Sequence, residues 1–312
     1  DVVFGEVPDN IHPTLWMGKV TAYLKPKLRR KNPRIEKING ILLCLLLMAL
    51  FVAPVCLILF WVRELLGWLP YIVASAIILQ TTHAIKCMRQ YTLPVADAVK
   101  KGDFEKAKEL LPFIVRRNPD GLTEGHIISA AVETIAEGTT DGITSPFFYY
   151  ALFGVPGAVA YRVVNTLDSM VGYKDKDHIN IGWFSAKTDT IINYVPARLT
   201  GLLMVLATII LKGNWRNSWR ILQRDRKKMA SINAGWTIPT MAGALEIQLE
   251  KPGFYTIGDN NTLSPSHITK ALQIMLLTSI LFAIIIVIPI LATKAILAPE
   301  LFAILRTTTL IQ

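Results

Sequence analysis

The apolar positions of this chain are gathered into uncharged runs: residues 41–62 (ILLCLLLMALFVAPVCLILFWV), 65–85 (LLGWLPYIVASAIILQTTHAI) and 271–293 (ALQIMLLTSILFAIIIVIPILAT). Each holds roughly twenty residues, enough to carry a helix across about 30 Å of hydrocarbon. Arg63 and Glu64 interrupt the first two runs, so the pattern predicts a helical hairpin that returns the chain to its starting side. Two further apolar stretches are shorter. FFYYALFGVPGAVAY, residues 147–161, ends at Arg162 and contains Gly154, Pro156 and Gly157. Between Arg198 and Lys212 lie thirteen uncharged residues, or about 20 Å of helix. Neither stretch crosses a bilayer alone, and broken pieces are tolerated at membrane depth only where neighbours satisfy the freed backbone. The expected fold is all-α: a polytopic helical integral membrane protein with cytoplasmic helical loops and a re-entrant or protein-buried helical hairpin.

Between the runs the chain is polar. Residues 1–40 end in KPKLRRKNPRIEK, a basic flank of the kind that stays cytoplasmic; no hydrophobic leader precedes it, so no signal peptide is expected. In residues 86–146, Gly102 and Asp103 separate two amphipathic helices, and Thr123 is an N-cap candidate for the helix EGHIISAAVETIAE. The expected organisation is a single domain, 1–312. It runs from the basic segment 1–40 to a transmembrane hairpin 41–85 and a helical cytoplasmic loop 86–146. A motif region with short apolar helices, 147–211, a basic loop 212–270 and a last transmembrane helix 271–298 complete it.

Composition sharpens this. Of 312 residues, 52% are hydrophobic, the mean hydropathy is +0.40, and 33 Lys and Arg against 23 Asp and Glu give a net charge of +10. With nearly charge-free spans the surplus sits in the loops, where the lipid bilayer is its first partner. Aromatic and basic residues are not interleaved as on a nucleic-acid surface, and no nucleic-acid partner is assigned. Cys44, Cys56 and Cys87 form no CxxC pair and read as small hydrophobes. No GxxxxGK[ST], GxGxxG, HExxH or GxSxG pattern is present, which removes the usual soluble NTPase, dehydrogenase, zinc-protease and hydrolase readings.

Chemistry concentrates in two places. Glu133, Glu137 and Asp141 recur every fourth residue among Ile127, Ile128, Val132 and Ile135. That spacing stacks like charges on one helical face, so a cation is expected opposite. It leaves Mg²⁺ with a nucleotide phosphate and a Lys or Arg from another helix both open, and on spacing alone favours the second. Gly138 fits a helix C′ position that would turn Asp141 inward. The second cluster is Asn165, Asp168, Lys174, Asp189, Asn193 and Arg198. Helix capping and snorkelling account for each of these singly; their density strains that account.

The string from Ala131 to Leu199, with NTLDSM and GYK in order, resembles the cobalamin-biosynthesis CobD/CbiB family, adenosylcobinamide-phosphate synthase. IHPTLWMG near the start and SINAGWTIPTMAGAL later resemble further motifs of that family, so the likeness covers almost the whole chain. It implies a multi-pass protein of the cytoplasmic membrane. The implied activity is an ATP-dependent ligase that joins adenosylcobyric acid to an aminoalcohol phosphate, with ATP and Mg²⁺ as cofactors. It leaves room for association with other cobalamin-biosynthesis enzymes. On that basis Glu137, Asp141 and Asp189 would bind Mg²⁺. Glu133 or Asp168 would take the proton from the attacking ammonium. Asn165, Lys174, Asn193, Arg198, Arg162 and Asn233 would hold substrate or ATP. The chain departs from the family pattern at Asn118, Gly138, Lys187 and Thr190. These departures keep open an alternative, a non-catalytic corrinoid-binding or regulatory membrane protein of the same fold. A solute transporter ranks third, because no repeated pair of half-helices is present.

Overall fold

The computed structural model describes residues 12–115, 119 and 121–297; positions 118 and 120 lie outside them. Helix α1 (Pro13–Leu28) begins where His12 Nδ1 accepts from Thr14 N and Pro13 occupies the first turn. Helix α2 (Pro33–Leu66) is capped by Asn32, whose side chain accepts from the amides of Arg34 and Ile35. It absorbs both the end of the basic flank and the pair Arg63–Glu64. The break expected at that pair falls instead at Gly67, whose φ of +86° only glycine adopts cheaply. Helix α3 (Trp68–Gln80) packs back along α2, and α4 (Ile85–Lys100) follows a short break. Helix α5 (Phe104–Leu110) starts at the Asp103 cap.

Helix α6 (Glu124–Thr139) runs through one π-helical turn, Thr140–Thr144, straight into α7 (Ser145–Val171). Within α7, Gly154 sits at φ 69°, ψ −163°, backbone that is essentially glycine-only. There the helix doubles back. Tyr149 and Tyr161 stack with ring centroids 5.5 Å apart, whereas twelve residues of straight helix would hold them about 18 Å apart. The short apolar stretch at 147–161 is thus the expected hairpin, with arms 145–153 and 155–171. In its second arm Arg162 donates to the carbonyls of Thr82 and Gly142. In the first, Lys294 donates to the carbonyls of Ala151 and Leu152, freed by the break.

Helices α8 (Trp183–Ile192) and α9 (Tyr194–Ile210) meet at Asn193 with a 46° bend. Helices α10 (Trp215–Asp225) and α11 (Ala234–Leu245) precede an antiparallel ribbon, β1 (Gln248–Lys251) and β2 (Tyr255–Gly258), with Gln248 opposite Gly258. Helix α12 (Ser266–Phe282) extends through a second π turn to Leu297. Among the described residues four helical stretches, Pro33–Leu66, Trp68–Lys100, Glu124–Val171 and Ser266–Leu297, are long and apolar enough to cross a membrane, and the bent α8–α9 pair makes a fifth if it is one broken span.

Two apolar cores result. One joins α4, α6, α9, α11, α12 and the ribbon; the other joins α1, α2, α8 and the second arm of α7. Residues of α6, expected within a peripheral loop, are therefore central: Ile127, Ile128, Val132 and Ile135 are fully buried. The hairpin links the cores, with Ala151 packed near Leu203, Phe282 and Val287.

Candidate functional site

Between the two cores lies a cavity of about 490 Å³, and its walls come from four separate parts of the chain. Glu137, Thr140 and Asp141 reach it from the end of α6 and the π turn; Asp168, Gly172 and Lys174 from the end of α7. Lys187, Asp189, Thr190 and Asn193 come from α8 and the bend after it, and residues 230–234 with Thr237 close the last side. The widened turn at 140–144 matters because a π turn shifts the face that following residues present. The hairpin matters more. Asp141 and Asp168 would stand about 40 Å apart on a straight helix, yet both line this cavity.

The geometry around Asp189 is the most constrained. Its Oδ1 accepts from Asn165 Nδ2 at 3.3 Å and its Oδ2 from Asn193 Nδ2 at 3.0 Å. Each amide is itself held by its oxygen. Arg162 Nη1 donates to Asn165 Oδ1 at 3.1 Å, while Ser145 Oγ and Tyr161 OH donate to Asn193 Oδ1 at 2.5 and 2.9 Å. With both amide oxygens acting as acceptors, the NH₂ groups must face the carboxylate, so its position is fixed by the surrounding donors. Asp141 and Asp168, by contrast, accept no side-chain hydrogen bond among the described residues, and both open to the cavity. Gly172 is required beside Asp168, since a Cβ there would overlap its carboxylate.

Two buried hydroxyls, Thr140 Oγ1 and Thr237 Oγ1, have no hydrogen-bond partner among the described residues and sit in the wall of the same cavity. A buried hydroxyl without a partner costs about 1–3 kcal/mol, which marks both as candidate donors to a group bound in the cavity. Lys174 and Lys187 stand at the exposed rim. The loop carrying Lys174 is tied to α1 and α2: Arg29 pairs with Asp177 at 2.9 Å, Lys25 Nζ meets His178 Nε2 at 2.5 Å, and Asn180 donates to Glu36 at 3.2 Å.

Comparison with known proteins settles the family. The family model described as CobD/Cbib protein matches residues 1–275. The chain belongs to the CobD/CbiB family. A probable cobalamin biosynthesis protein CobD from Methanothermobacter thermautotrophicus is 41% identical over 91% of this chain and 92% of its own length. Cobalamin biosynthesis protein CobD from Dehalococcoides mccartyi is 37% identical over 88% and 89%. Its namesake from Geobacter metallireducens is 39% identical over 83% of each chain. No solved structure matches significantly.

The CobD/CbiB motifs acquire physical content here. In NAGW, Asn233 Nδ2 donates to Thr190 O and its Oδ1 accepts from Arg198. Gly235 lets the Arg226 carbonyl pass where a Cβ would collide. Of the residues expected at the site, Glu137, Asp141, Asp168, Lys174, Asp189, Asn193 and Asn233 share the cavity, with Asn165 directly behind it.

Three residues lie elsewhere. Glu133 is buried against the ribbon, accepting from Ser129 Oγ at 2.7 Å and Tyr255 OH at 2.5 Å. Eight residues of helix put it about 12 Å along the axis from Asp141. Arg162 lies behind Asn165, donating to its Oδ1 and to the backbone carbonyls of Thr82 and Gly142 rather than into the cavity. Arg198 belongs to a neighbouring pocket. Gly138 is no C′ residue either: the helix continues through it, and it is glycine because Met88 fills the space of a Cβ. The three carboxylates that the resemblance assigns to Mg²⁺, Glu137, Asp141 and Asp189, all line the cavity. Among the described residues no three His, Cys, Asp or Glu side chains form a group that could hold an ion by themselves. Thr140, Thr237, Ser145 and Tyr161 went unnoticed in the sequence, where only the neighbourhood of Thr140 to Asp141 hinted at a role.

Proposed function

We propose that this chain is the ATP-dependent amide ligase of cobalamin biosynthesis, joining adenosylcobyric acid to an aminoalcohol phosphate such as (R)-1-amino-2-propanol phosphate to give adenosylcobinamide phosphate at the cytoplasmic membrane. Its relatives' names support a part in that pathway. The observation that carries the reaction is the pairing of two unbonded carboxylates, Asp141 and Asp168, with two unpartnered hydroxyls, Thr140 and Thr237, in one cavity rimmed by lysines.

Amide formation from a carboxylate needs an activated leaving group, which ATP provides. The donor set suits Mg·ATP: Mg²⁺ usually takes one or two carboxylates and completes its shell with water and phosphate oxygens. Asp141 and Glu137 would hold the ion, which when bound neutralises phosphate charge. Thr140 and Thr237 donate to phosphoryl or carboxyl oxygens, and Lys174 and Lys187 offset their charge. Asp168, opposite them, takes a proton from the ammonium so that its lone pair can attack. Asp189, clasped by Asn165 and Asn193, keeps the floor of the cavity rigid and negative, favouring the cationic amine.

Lipid-reconstituted protein supplied with adenosylcobyric acid, (R)-1-amino-2-propanol phosphate and Mg·ATP is expected to yield adenosylcobinamide phosphate with ATP consumption. Corrinoid binding by folded protein with no ATP consumed and no product would overturn the proposal in favour of a binding role.

A further inference from the structure

Beside the acidic cavity, and sharing Ile232 with it, lies a second pocket of about 390 Å³ lined by Tyr194, Arg198, Arg226, Lys227, Met229, Ile232 and Trp236. No acid is among these residues. Other cations of the basic stretch around it are paired: Arg220 and Arg224 with Asp259, and Arg224 and Lys228 with Asp225. Arg198, Arg226 and Lys227 form no ion pair with any described residue. Three cations thus converge on one concavity without a counter-charge, a costly arrangement unless an anion supplies it.

The cations are also placed. Arg198 lies over the Tyr194 ring, 3.3 Å from its centroid, and 5.4 Å from that of Trp236; Arg226 lies 5.2 Å from Trp236. Trp236 is therefore flanked by two guanidinium groups, and the neighbouring Gly235 lets the Arg226 backbone approach closely. Arg198 further donates to Tyr194 O and Asn233 Oδ1, which fixes its plane. Two oriented guanidinium forks with an ammonium match the charge and the several acceptor oxygens of a phosphate better than the single charge of a carboxylate.

We propose that Arg198, Arg226 and Lys227 form a phosphate-binding subsite for a soluble phosphomonoester or nucleotide, separate from the carboxylate cavity and connected to it through Ile232 and Asn233. The proposal rests on the ligase reading only for which phosphate is natural. If that reading holds, the subsite selects the phosphorylated amine over the free aminoalcohol, or anchors the nucleotide.

Calorimetric titration of the full-length protein in detergent tests this without turnover, using (R)-1-amino-2-propanol phosphate, the unphosphorylated amine and a non-hydrolysable ATP analogue. Wild type is expected to bind at least one phosphorylated probe and not the free amine. Arg226→Gln and Lys227→Gln should each weaken that probe about 10-fold, equivalent to about 1.4 kcal/mol, and Arg226→Lys should recover part of the loss. Lys227 is exposed, so its variant tests the site even if Arg226→Gln fails to fold. The probe whose affinity falls identifies the source of the phosphate. Unchanged affinity for both phosphorylated probes in the variants, no phosphorylated probe bound by wild type, or a change confined to retention of anionic lipid would each overturn the subsite. Failure of the ligase reading is distinguishable: wild type would then make no amide product while phosphate binding stayed sensitive to both variants.

Discussion

Tyr149 and Tyr161 stack almost in parallel, 10° between ring planes and 5.5 Å between centroids, on opposite arms of a helix broken at Gly154. This contact records the fold-back that brings Asp141 and Asp168 to one cavity. Tyr161 also donates to Asn193 Oδ1 and, at 3.3 Å, to the Asp141 carbonyl, so one side chain ties the hairpin to the bend in α8–α9 and to the π turn.

Gly154→Ala is expected to destabilise the protein by about 1–3 kcal/mol, because its φ and ψ exclude a side chain, and to lower ligase activity by separating the two arms. Gly18→Ala is the control, since a Cβ there meets nothing within 4 Å. Thermal unfolding in detergent beside product formation measures both; equal melting temperatures for the two variants would refute the role of Gly154.

The carboxylates should divide by function. Asp141→Asn and Asp168→Asn are expected to cut amide formation about 100-fold or more with little change in melting temperature. Glu133→Gln should do the opposite, because it disturbs the buried contacts to Ser129 and Tyr255 at about 1–3 kcal/mol and leaves turnover within a few-fold of wild type.

Asp225 offers a test by pH. Burial pushes its carboxyl up, but hydrogen bonds from Arg224, Lys228 and the Gly258 amide outweigh burial and hold it at about 2. A depressed folded value means the stabilisation is complete above the ordinary carboxylate range and is lost as pH falls from about 4 towards 2. The loss is about 1–2 kcal/mol after allowing for the half-exposed cations. Asp225→Asn should be less stable than wild type at pH 7, and the gap should narrow as pH falls towards 2; a gap independent of pH would count against the ion pairs.

Lys294→Met removes the donor to the carbonyls of Ala151 and Leu152. A hydrogen bond from a charged group contributes about 1.5–3 kcal/mol, so the variant should melt lower and be cut more readily by protease between 150 and 156. An unaltered digestion pattern would show the hairpin holds without this cap.

Much of the fold was legible because membrane physics is blunt. Twenty uncharged residues announce a span, and Gly154 with Pro156 announced a break. What stayed hidden depended on three-dimensional reach. Arg63 and Glu64 looked like a hairpin turn, yet a helix tolerates both and ends only where Gly67 permits a positive φ. The four-residue rhythm of Glu133, Glu137 and Asp141 suggested one charged face with a cation opposite, but the rows on a helix drift and rise, and the π turn shifts them again. Arg162 looked like a phosphate ligand because nothing local reveals that Thr82 and Gly142 would need its donors. The orphan hydroxyl of Thr237 carries no sequence signal at all.

The cap on the hairpin also orders events in time. Lys294 meets Ala151 from 143 positions further along the chain, so the turn at Gly154 is synthesised long before the side chain that ties off its carbonyls. A nascent chain halted before α12 already contains every acid of the cavity. It nonetheless lacks the lysine that steadies the bend between Asp141 and Asp168, so the site is finished only once α12 and its extension have been made.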